Sequence, residues 1–167
     1  MKSSGTLRLL LGPVGAGKTT YAQQSIARSP AIHLDVDTCM VRLFRDDPRP
    51  PDNVMAWYLE RRERCRVMLW DIAVSALRCG TDVFLEFGLL QRVEREAFYE
   101  RARAEELALV AYVLDAPRAA RRQRVANRNH AGGSNTQIVP PEFFERASDA
   151  WEPPMESERA TWGLIDL

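Results

Sequence analysis

The stretch Gly12-Pro13-Val14-Gly15-Ala16-Gly17-Lys18-Thr19 matches the pattern G-x-x-x-x-G-K-[ST] at every fixed position. The residues before it, Thr6 to Leu11, form a short apolar run that predicts a buried strand. The residues after it, Thr20 to Arg28, predict a helix. Strand, glycine-rich loop and helix in this order are typical of a phosphate-binding loop, or P-loop. The alternative is a glycine-rich turn that precedes a helix by coincidence.

The chemistry of this loop depends on the free backbone groups at the start of the helix. The first turn of a helix leaves N–H groups without partners, and its dipole favours negative charge. The glycines allow positive φ and bring those N–H groups close to a ligand. Lys18 supplies a positive charge for the β- and γ-phosphates, and Thr19 supplies a hydroxyl for Mg²⁺. The residues predicted to hold ATP are Gly12, Pro13, Val14, Gly15, Ala16, Gly17, Lys18, Thr19, Thr20 and, from a later helix, Arg124.

Length and composition limit the class of protein. The 167 residues suit a single domain spanning 1–167. Lys plus Arg number 23 and Asp plus Glu also number 23, so nucleic acid is a less favoured partner, although a local basic groove is not excluded. Three cysteines with no C-x-x-C pair favour a reducing, cytoplasmic setting. The apolar run near the N-terminus is too short for a signal peptide or a membrane span. The oligomeric state is left open.

The order of the other elements predicts an α/β protein. Further strands are expected at Ala31–Asp37, Thr81–Phe87, Leu107–Leu114 and Thr161–Leu167, and a long helix at Val54–Cys79. Strands that alternate with helices predict a three-layer fold of the P-loop NTPase type, with a parallel five-stranded sheet. Ligands of such sheets bind beyond the carboxyl ends of the strands, where the acidic candidates below all fall.

Asp37 and Asp35 are the candidates for the general base that would take a proton from an acceptor hydroxyl. Asp37 is the first choice, and Asp35 is expected to bind substrate. On a strand the two side chains would point to the same face, because they are two residues apart. The alternative is that these acids cap a helix that begins near Cys39.

Glu86 follows the third predicted strand, where P-loop proteins carry an acid that orients the Mg²⁺ shell through water. It is therefore expected to contact the metal or the substrate, the alternative being an acid on the rim.

Arg92, with Arg95 three residues later, could reach a charged acceptor or simply be exposed. Trp151 and the residues that follow could wall the nucleotide base or form a packed turn.

An arginine-rich helix is expected to follow Asp115. Arg121, Arg124 and Arg128 share one helical face, and arginines can neutralise the charge of a transferring phosphoryl group. With Gly132-Gly133 as a hinge, this segment predicts a lid over about residues 117–137. The alternative is a solvated basic helix.

The charged stretch Glu60–Arg66 also predicts a solvated face, unless one or two of its arginines reach the substrate.

With these residues placed, the chain resembles small P-loop kinases that include polynucleotide 5′-hydroxyl kinases, zeta-toxin-type kinases and chloramphenicol phosphotransferase. More narrowly, it resembles a bacterial family of AAA-type ATP-binding kinases. The resemblance rests on Gly12–Thr19, Asp37-x-x-Met40, Glu60–Cys65, Leu85–Gly88 and Arg121-x-x-Arg124-x-x-x-Arg128-Asn129. It implies that Asp37 is the general base and that the arginine-rich segment is the lid.

The chain departs from that resemblance at two positions. Polynucleotide kinases carry an arginine three residues after the catalytic Asp, where this chain has Met40 and the nearest arginine is Arg42. Related sequences usually carry Asp at the position of Glu86.

The sequence therefore predicts an ATP- and Mg²⁺-dependent phosphotransferase that acts on a hydroxyl of a small-molecule or nucleotide-like acceptor. Its catalytic residues would be Asp37, Lys18, Arg124 and Arg128. Its metal site would use Thr19 and Glu86, and Asp35, Glu86 and Arg92 would contact the acceptor. The alternatives are a polynucleotide 5′-hydroxyl kinase and a nucleotide-gated binding module without catalysis. A GTPase is disfavoured, because no Asn-Lys-x-Asp motif is present.

Overall fold

The computed structural model describes residues 4–132 and 137–167. Its strands are β1 Thr6–Leu11, β2 Ile32–Asp35, β3 Val83–Glu86, β4 Ala108–Val113 and β5 Ile165–Asp166. Its helices are α1 Lys18–Ile26, α2 Val36–Phe44, α3 Val54–Arg78, α4 Arg92–Ala104, α5 Arg118–Ala131, α6 Pro141–Asp149 and α7 Glu156–Trp162. None of these helices, in the part of the chain described, is long and apolar enough to cross a membrane.

The five strands form one parallel sheet in the order β2-β3-β1-β4-β5. Strand β1 lies at its centre, and Leu7, Leu9, Leu10 and Leu11 are each no more than 1% exposed. A strand covered on both faces carries such a continuous apolar run, because helices shield both sides. The parallel five-stranded sheet predicted from the sequence is confirmed.

Helices pack on both faces of this sheet. On one face, Ala22 of α1 packs with Leu10 of β1 and Phe84 of β3. On the other, Leu7 and Leu9 pack with a larger cluster that includes buried side chains of α3 and α4. Alternate residues of β1 thus point to opposite faces of the sheet and pack in two separate cores, because side chains along a strand alternate with a period of two. The predicted three-layer architecture is confirmed.

The predicted second strand is wrong at its end. Strand β2 stops at Asp35, and α2 begins at Val36. The Asp35 carboxylate accepts hydrogen bonds from the backbone N–H of Asp37 (3.0 Å) and of Thr38 (3.1 Å), so it is the N-cap of α2. Asp35 and Asp37 therefore do not share a strand face, and α2 begins three residues earlier than Cys39.

The C-terminal segment was also predicted incorrectly. Strand β5 comprises only Ile165 and Asp166, whereas Thr161 and Trp162 belong to α7. Helix α7 ends at Gly163, which takes the left-handed conformation (φ 61°) that stops a helix. Glu158 of α7 is buried against α4, and this long-range contact stabilises a helix of only seven residues.

Candidate active site

The glycines of Gly12–Thr19 take backbone conformations that other residues rarely adopt. Gly12 has φ +143°, and a Cβ there would lie 2.0 Å from the Leu114 carbonyl oxygen. Gly15 has φ +80°, and a Cβ there would lie 2.8 Å from the Arg121 carbonyl oxygen. Gly17, with φ +105°, is the N-cap of α1. The loop is thus packed closely against the residue that follows β4 and against α5, in backbone conformations typical of a phosphate-binding loop.

Lys18 begins α1 and folds back over the loop. Its Nζ donates to the carbonyls of Gly12 (2.8 Å) and Pro13 (3.0 Å). Burial lowers the pKa of Lys18, and the nearby charge of Arg128 lowers it slightly further, although the charges of Glu86, Asp37 and Asp35 oppose the shift. Three carboxylates therefore lie close enough to this ammonium group to act on it. A phosphate within reach of Nζ would compete with the two carbonyls.

The remaining loop residues have mainly backbone roles. The Ala16 N–H donates to the Pro13 carbonyl (3.2 Å), which closes a turn. The Val14 carbonyl accepts from Arg121 (3.1 Å), so the loop is joined to α5. Thr20 is exposed in the first turn of α1, where backbone N–H groups have no partner within the helix.

Thr19, Glu86 and His33 form a chain of polar contacts behind the loop. The Thr19 hydroxyl donates to Glu86 Oε2 (3.2 Å), and Glu86 Oε1 lies 2.8 Å from His33 Nε2. Glu86 is only 5% exposed, so the alternative of an acid on the rim is wrong. The sequence suggested no partner for His33, because Glu86 lies 53 residues away along the chain.

The oxygens of Thr19 and Glu86 are suitable ligands for Mg²⁺, directly or through water. Within residues 4–132 and 137–167, no group of three or more His, Cys, Asp or Glu side chains is arranged to hold a metal. A magnesium ion at this position would therefore depend on phosphate oxygens and water for most of its coordination, as Mg²⁺ commonly does in proteins.

Both oxygens of Asp35 already accept hydrogen bonds at the start of α2. Besides the two backbone bonds, Asp35 Oδ2 accepts from the Thr38 hydroxyl (2.6 Å). Burial raises the pKa of Asp35, and the charges of Asp37 and Glu86 raise it further. The carboxylate thus contributes to the structure of α2 and lies in a strongly acidic neighbourhood.

Asp37 is exposed in the first turn of α2 and has a different set of partners. Its Oδ1 accepts from Arg62 Nη1 (2.6 Å), and among the described residues no donor reaches Oδ2. Arg62 also donates to the Tyr58 hydroxyl (3.3 Å) and to the Phe87 carbonyl (3.0 Å). Burial alone would lower the pKa of Arg62, but Asp37 and Tyr58 outweigh it and raise the pKa. Asp37 therefore keeps one carboxylate oxygen for a ligand.

Helix α3 supplies the arginines that surround the end of β3. Arg66 donates to the Phe87 carbonyl (2.9 Å), next to the bond from Arg62. Gly88, with φ +62°, makes room for Arg62, because a Cβ there would lie 2.3 Å from Nη2. The Glu60–Arg66 stretch is therefore not only a solvated face. The sequence showed that this stretch is densely charged, but it did not show which of its arginines turn inward.

The arginines of α5 have separate roles. Arg121 is 5% exposed and donates to the Ala116 carbonyl (3.0 Å), the Val14 carbonyl (3.1 Å) and the Ser148 hydroxyl (3.0 Å). Arg121 thus lies on the face of α5 that meets the loop, but its guanidinium is committed to holding α5 against the loop. Arg124 Nη1 lies 3.4 Å from the Gly15 carbonyl oxygen, and Arg128 is exposed one turn further along.

Helices α5 and α6 are joined by polar contacts. Arg118 bonds to Asp149 (2.7 Å), Arg122 bonds to Glu145 (2.7 Å), and the Asn129 amide donates to the Val139 carbonyl (2.7 Å). Helix α5 of the predicted lid is therefore packed against α6. Gly132 ends α5 with φ +65°, whereas Gly133 of the predicted hinge lies outside the described residues.

The remaining candidates lie at the start of α4. Arg92 bonds to Glu96 (2.6 Å), and no contact with the residues around Asp37 is found for it in the described part of the chain. Arg95 is fully buried and bonds to Glu158 (2.7 Å), so the expectation that it reaches an acceptor is wrong. Trp151 is buried 5.3 Å from the Arg95 guanidinium, which makes it part of the core and not a wall for the base.

Comparisons with known proteins agree with this description. A family model described as an AAA domain matches residues 7–154. No curated protein sequence matches the chain. A gluconokinase from Sinorhizobium meliloti 1021 has a similar structure, with 15% identity, a TM-score of 0.59, and coverage of 100% of this chain and 83% of that one.

Two further solved structures share the fold. Kti12 from Chaetomium thermophilum, in complex with ADP-AlF3, has 18% identity and a TM-score of 0.66, covering 96% of this chain and 88% of that one. A chain of the Pnkp1/Rnl/Hen1 RNA repair complex has 18% identity and a TM-score of 0.66, covering 96% of this chain but only 47% of that one. At these identities the similarity concerns the fold. Together with the family match, it confirms the resemblance to small P-loop kinases.

Proposed function

Because the chain belongs to the AAA domain family of P-loop proteins, we propose that it is an ATP- and Mg²⁺-dependent phosphotransferase whose acceptor is a hydroxyl group. The observation that carries this proposal is the free carboxylate oxygen of Asp37, which belongs to the same electrostatic neighbourhood as the P-loop lysine. A nucleotide switch needs no such base, whereas a kinase does. We regard residues 1–167 as one kinase domain.

The nucleotide half of the proposal uses the loop. The N–H groups of Gly12–Thr19 and the first turn of α1 would bind the phosphates, and Lys18 would exchange its two carbonyl partners for phosphate oxygens. Arg124 and Arg128 face the loop from α5, and their charges would stabilise the γ-phosphoryl group during transfer. Their freedom from carboxylate partners in the described chain supports this role.

The side chains of Thr19 and Glu86 are suited to a magnesium ion. Magnesium, when bound with ATP, supplies positive charge at the β- and γ-phosphate oxygens. Thr19 Oγ1 would hold it, and Glu86 Oε2, which now accepts from Thr19 at 3.2 Å, would orient the metal's water. His33, 2.8 Å from Glu86 Oε1, would fix the direction of that carboxylate.

The acceptor half uses Asp37. The hydroxyl oxygen of the acceptor attacks the γ-phosphorus of ATP and forms the new P–O bond. The bond between the γ-phosphorus and the bridging oxygen breaks, and ADP leaves. The hydroxyl proton moves to Asp37 Oδ2, which has no donor among the described residues. Asp35 is a poor candidate for the base, because its oxygens cap α2.

The experiment that tests this proposal is a transfer assay. The protein is incubated with γ-labelled ATP, Mg²⁺ and a panel of sugars, polyols, nucleosides, antibiotics and oligonucleotides. We expect a small-molecule member to take up the label. Transfer to oligonucleotides alone would favour the polynucleotide kinase alternative, which buried Met40 in place of an arginine does not support. ATP binding without transfer to any member would favour a binding module and contradict the proposal.

The compartment is a further part of the proposal. All three cysteines, Cys39, Cys65 and Cys79, are free thiols. Free thiols persist in a reducing compartment, which supports a cytoplasmic location.

A further inference from the structure

Two potential acceptor contacts are held by a single nitrogen of Arg62. Nη1 donates to Asp37 Oδ1 at 2.6 Å and to the Tyr58 hydroxyl at 3.3 Å. Since one nitrogen bonds to both, the two oxygens lie no more than about 6 Å apart. Arg62 is itself fixed to the carboxyl end of β3 through its bond to the Phe87 carbonyl. The carboxylate and the phenol therefore form one preorganised pair beside the P-loop.

Each member of this pair retains one unused hydrogen-bonding function. Asp37 Oδ2 is an acceptor that no described donor reaches. The Tyr58 oxygen accepts from Arg62, and its own proton has no acceptor within residues 4–132 and 137–167. The pair thus offers a ligand one strong acceptor and one neutral donor, a short distance apart.

The charge around this pair is not suited to an anion. Arg62 is paired with Asp37, and Arg66 lies 3.4 Å from Glu94 and 3.7 Å from Glu63. The two arginines that bond to the Phe87 carbonyl are therefore already paired with carboxylates. A phosphate or carboxylate on the acceptor would also meet the acidic group of Asp35, Asp37 and Glu86.

Resting on the proposed function, we infer that the acceptor is an uncharged polyol or sugar that presents two neighbouring hydroxyl groups to Asp37 and Tyr58. The first hydroxyl gives its proton to Asp37 Oδ2 as its oxygen bonds to the γ-phosphorus, while the bond to the ADP oxygen breaks. The second hydroxyl accepts a hydrogen bond from Tyr58 and stays unmodified. Tyr58 is thus a specificity-determining residue, and Arg62 is the positioning residue for both contacts.

The test compares matched acceptors in the labelled-ATP assay. Glycerol is paired with 1,3-propanediol and with 1-propanol. D-ribose and D-glucose are each paired with all of their monodeoxy derivatives, because a 2-deoxy sugar alone keeps neighbouring hydroxyls at C3 and C4. The corresponding sugar phosphates are included. We expect a preferred neutral acceptor whose deoxy partner loses about tenfold in kcat/KM, the effect of one neutral hydrogen bond. The phosphorylated sugars should be poorer acceptors than their neutral parents.

A variant assigns this preference to Tyr58. Tyr58→Phe should lower kcat/KM for the preferred acceptor about tenfold but leave its deoxy partner nearly unaffected, because the second hydroxyl is then missing already. Tyr112→Phe is the matched control, since its phenol also accepts from an arginine (Arg8, 3.1 Å) but lies on the face of the sheet covered by α1. That control should keep the preference.

The possible outcomes separate the inference from the proposed function. Label on a monohydroxy compound, a sugar phosphate or an oligonucleotide in preference to every polyol and sugar would overturn the inference, while phosphotransfer itself would stand. If Tyr58→Phe lowers kcat/KM equally for the preferred acceptor and for its deoxy partner, the inference is also overturned, because Tyr58 would then have only a structural role. Failure to label any compound would contradict the proposed function and the inference together.

Discussion

Asp35 and Asp37 are two residues apart, but their hydrogen bonds commit them to different roles. Asp35 uses both oxygens to hold the first turn of α2, whereas Asp37 uses one oxygen for Arg62 and keeps the other. A general base needs a free oxygen that an incoming hydroxyl can approach. At the scale of single residues, Asp37 is therefore the stronger candidate for the base.

The first prediction concerns Asp37→Asn. The amide cannot accept the acceptor's proton, so phosphotransfer should fall by roughly 10² to 10⁴. ATP binding should be nearly unchanged, because Asp37 is not expected to contact the nucleotide. Label transfer and equilibrium binding of ATP measure the two effects. An active Asp37→Asn protein would mean that another group takes the proton.

The second prediction concerns Gly15→Ala. The new Cβ would lie 2.8 Å from the Arg121 carbonyl oxygen at a residue with φ +80°, so the loop or α5 must shift. We expect ATP affinity to fall at least tenfold, measured by calorimetry. Gly163→Ala is the control, because it also has a positive φ (+61°) but meets no atom within 4 Å. Similar ATP affinities for the two variants would show that the contact with α5 does not shape the loop.

At the scale of elements, α3 positions the proposed acceptor side of the site. Tyr58, Arg62 and Arg66 are spaced four residues apart, so they lie along one face of the helix. That face meets Asp37 of α2 and the end of β3. One rigid helix thus holds the side chains that surround the proposed acceptor, which favours a precise geometry.

The third prediction concerns the start of α2. Asp35→Ala removes the N-cap, and the free energy of unfolding should fall by about 1 kcal/mol. Urea denaturation measures this change. Asp35→Asn is the matched control, since Asn caps helices about as well as Asp and should retain most of the stability. If both variants lose the same free energy of unfolding, the negative charge of Asp35, and not its capping hydrogen bonds, accounts for the stabilisation.

At the scale of the whole molecule, one buried ion pair joins the C-terminal segment to the core. Arg95 of α4 bonds to Glu158 of α7 through two nitrogens, at 2.7 and 2.8 Å, and both side chains are fully buried. The Tyr99 hydroxyl donates to the same carboxylate at 3.0 Å. These bonds connect helix α7, and through it β5, to α4.

The fourth prediction is that Glu158→Ala destabilises the protein by roughly 3 to 5 kcal/mol, because Arg95 is left buried without a partner. The transition midpoint in urea, followed by circular dichroism, measures the loss. Glu156→Ala, on the exposed side of the same helix, should change stability little. Equal effects would assign the loss to helix propensity and not to the ion pair.

The fifth prediction concerns pH. Burial alone would raise the pKa of Glu158, but the bonds and charge of Arg95 lower it below its usual value. A lowered carboxyl pKa adds stability above the pKa of the unfolded chain, and this stability is lost as the pH falls through the lower folded value. Stability should therefore decline below about pH 4. Glu158→Gln should show a shallower decline, and identical slopes would count against the ion pair as its source.

Local patterns in the sequence were sufficient to predict the parallel sheet and the P-loop. The glycines, Lys18 and Thr19 are adjacent in the chain, so their spacing alone carries the signal. The apolar run of β1 likewise predicts a buried parallel strand, because a strand covered on both faces needs apolar residues throughout, whereas β4, with a similar run, is only partly buried. The cap at Asp35 also had a local signal, which competed with an apparent continuation of β2.

Only the tertiary structure decided which polar side chains meet. Arg62 reaches Asp37 across 25 residues of chain, and Arg95 reaches Glu158 across 63. A sequence shows the charge of each arginine, but its partner depends on how helices pack on the sheet. The same limit applies to α7, which is too short to be stable without its buried contacts. The nucleotide-binding half of the site was thus determined by the sequence, because its residues are contiguous, whereas the proposed acceptor half depends on packing between distant elements.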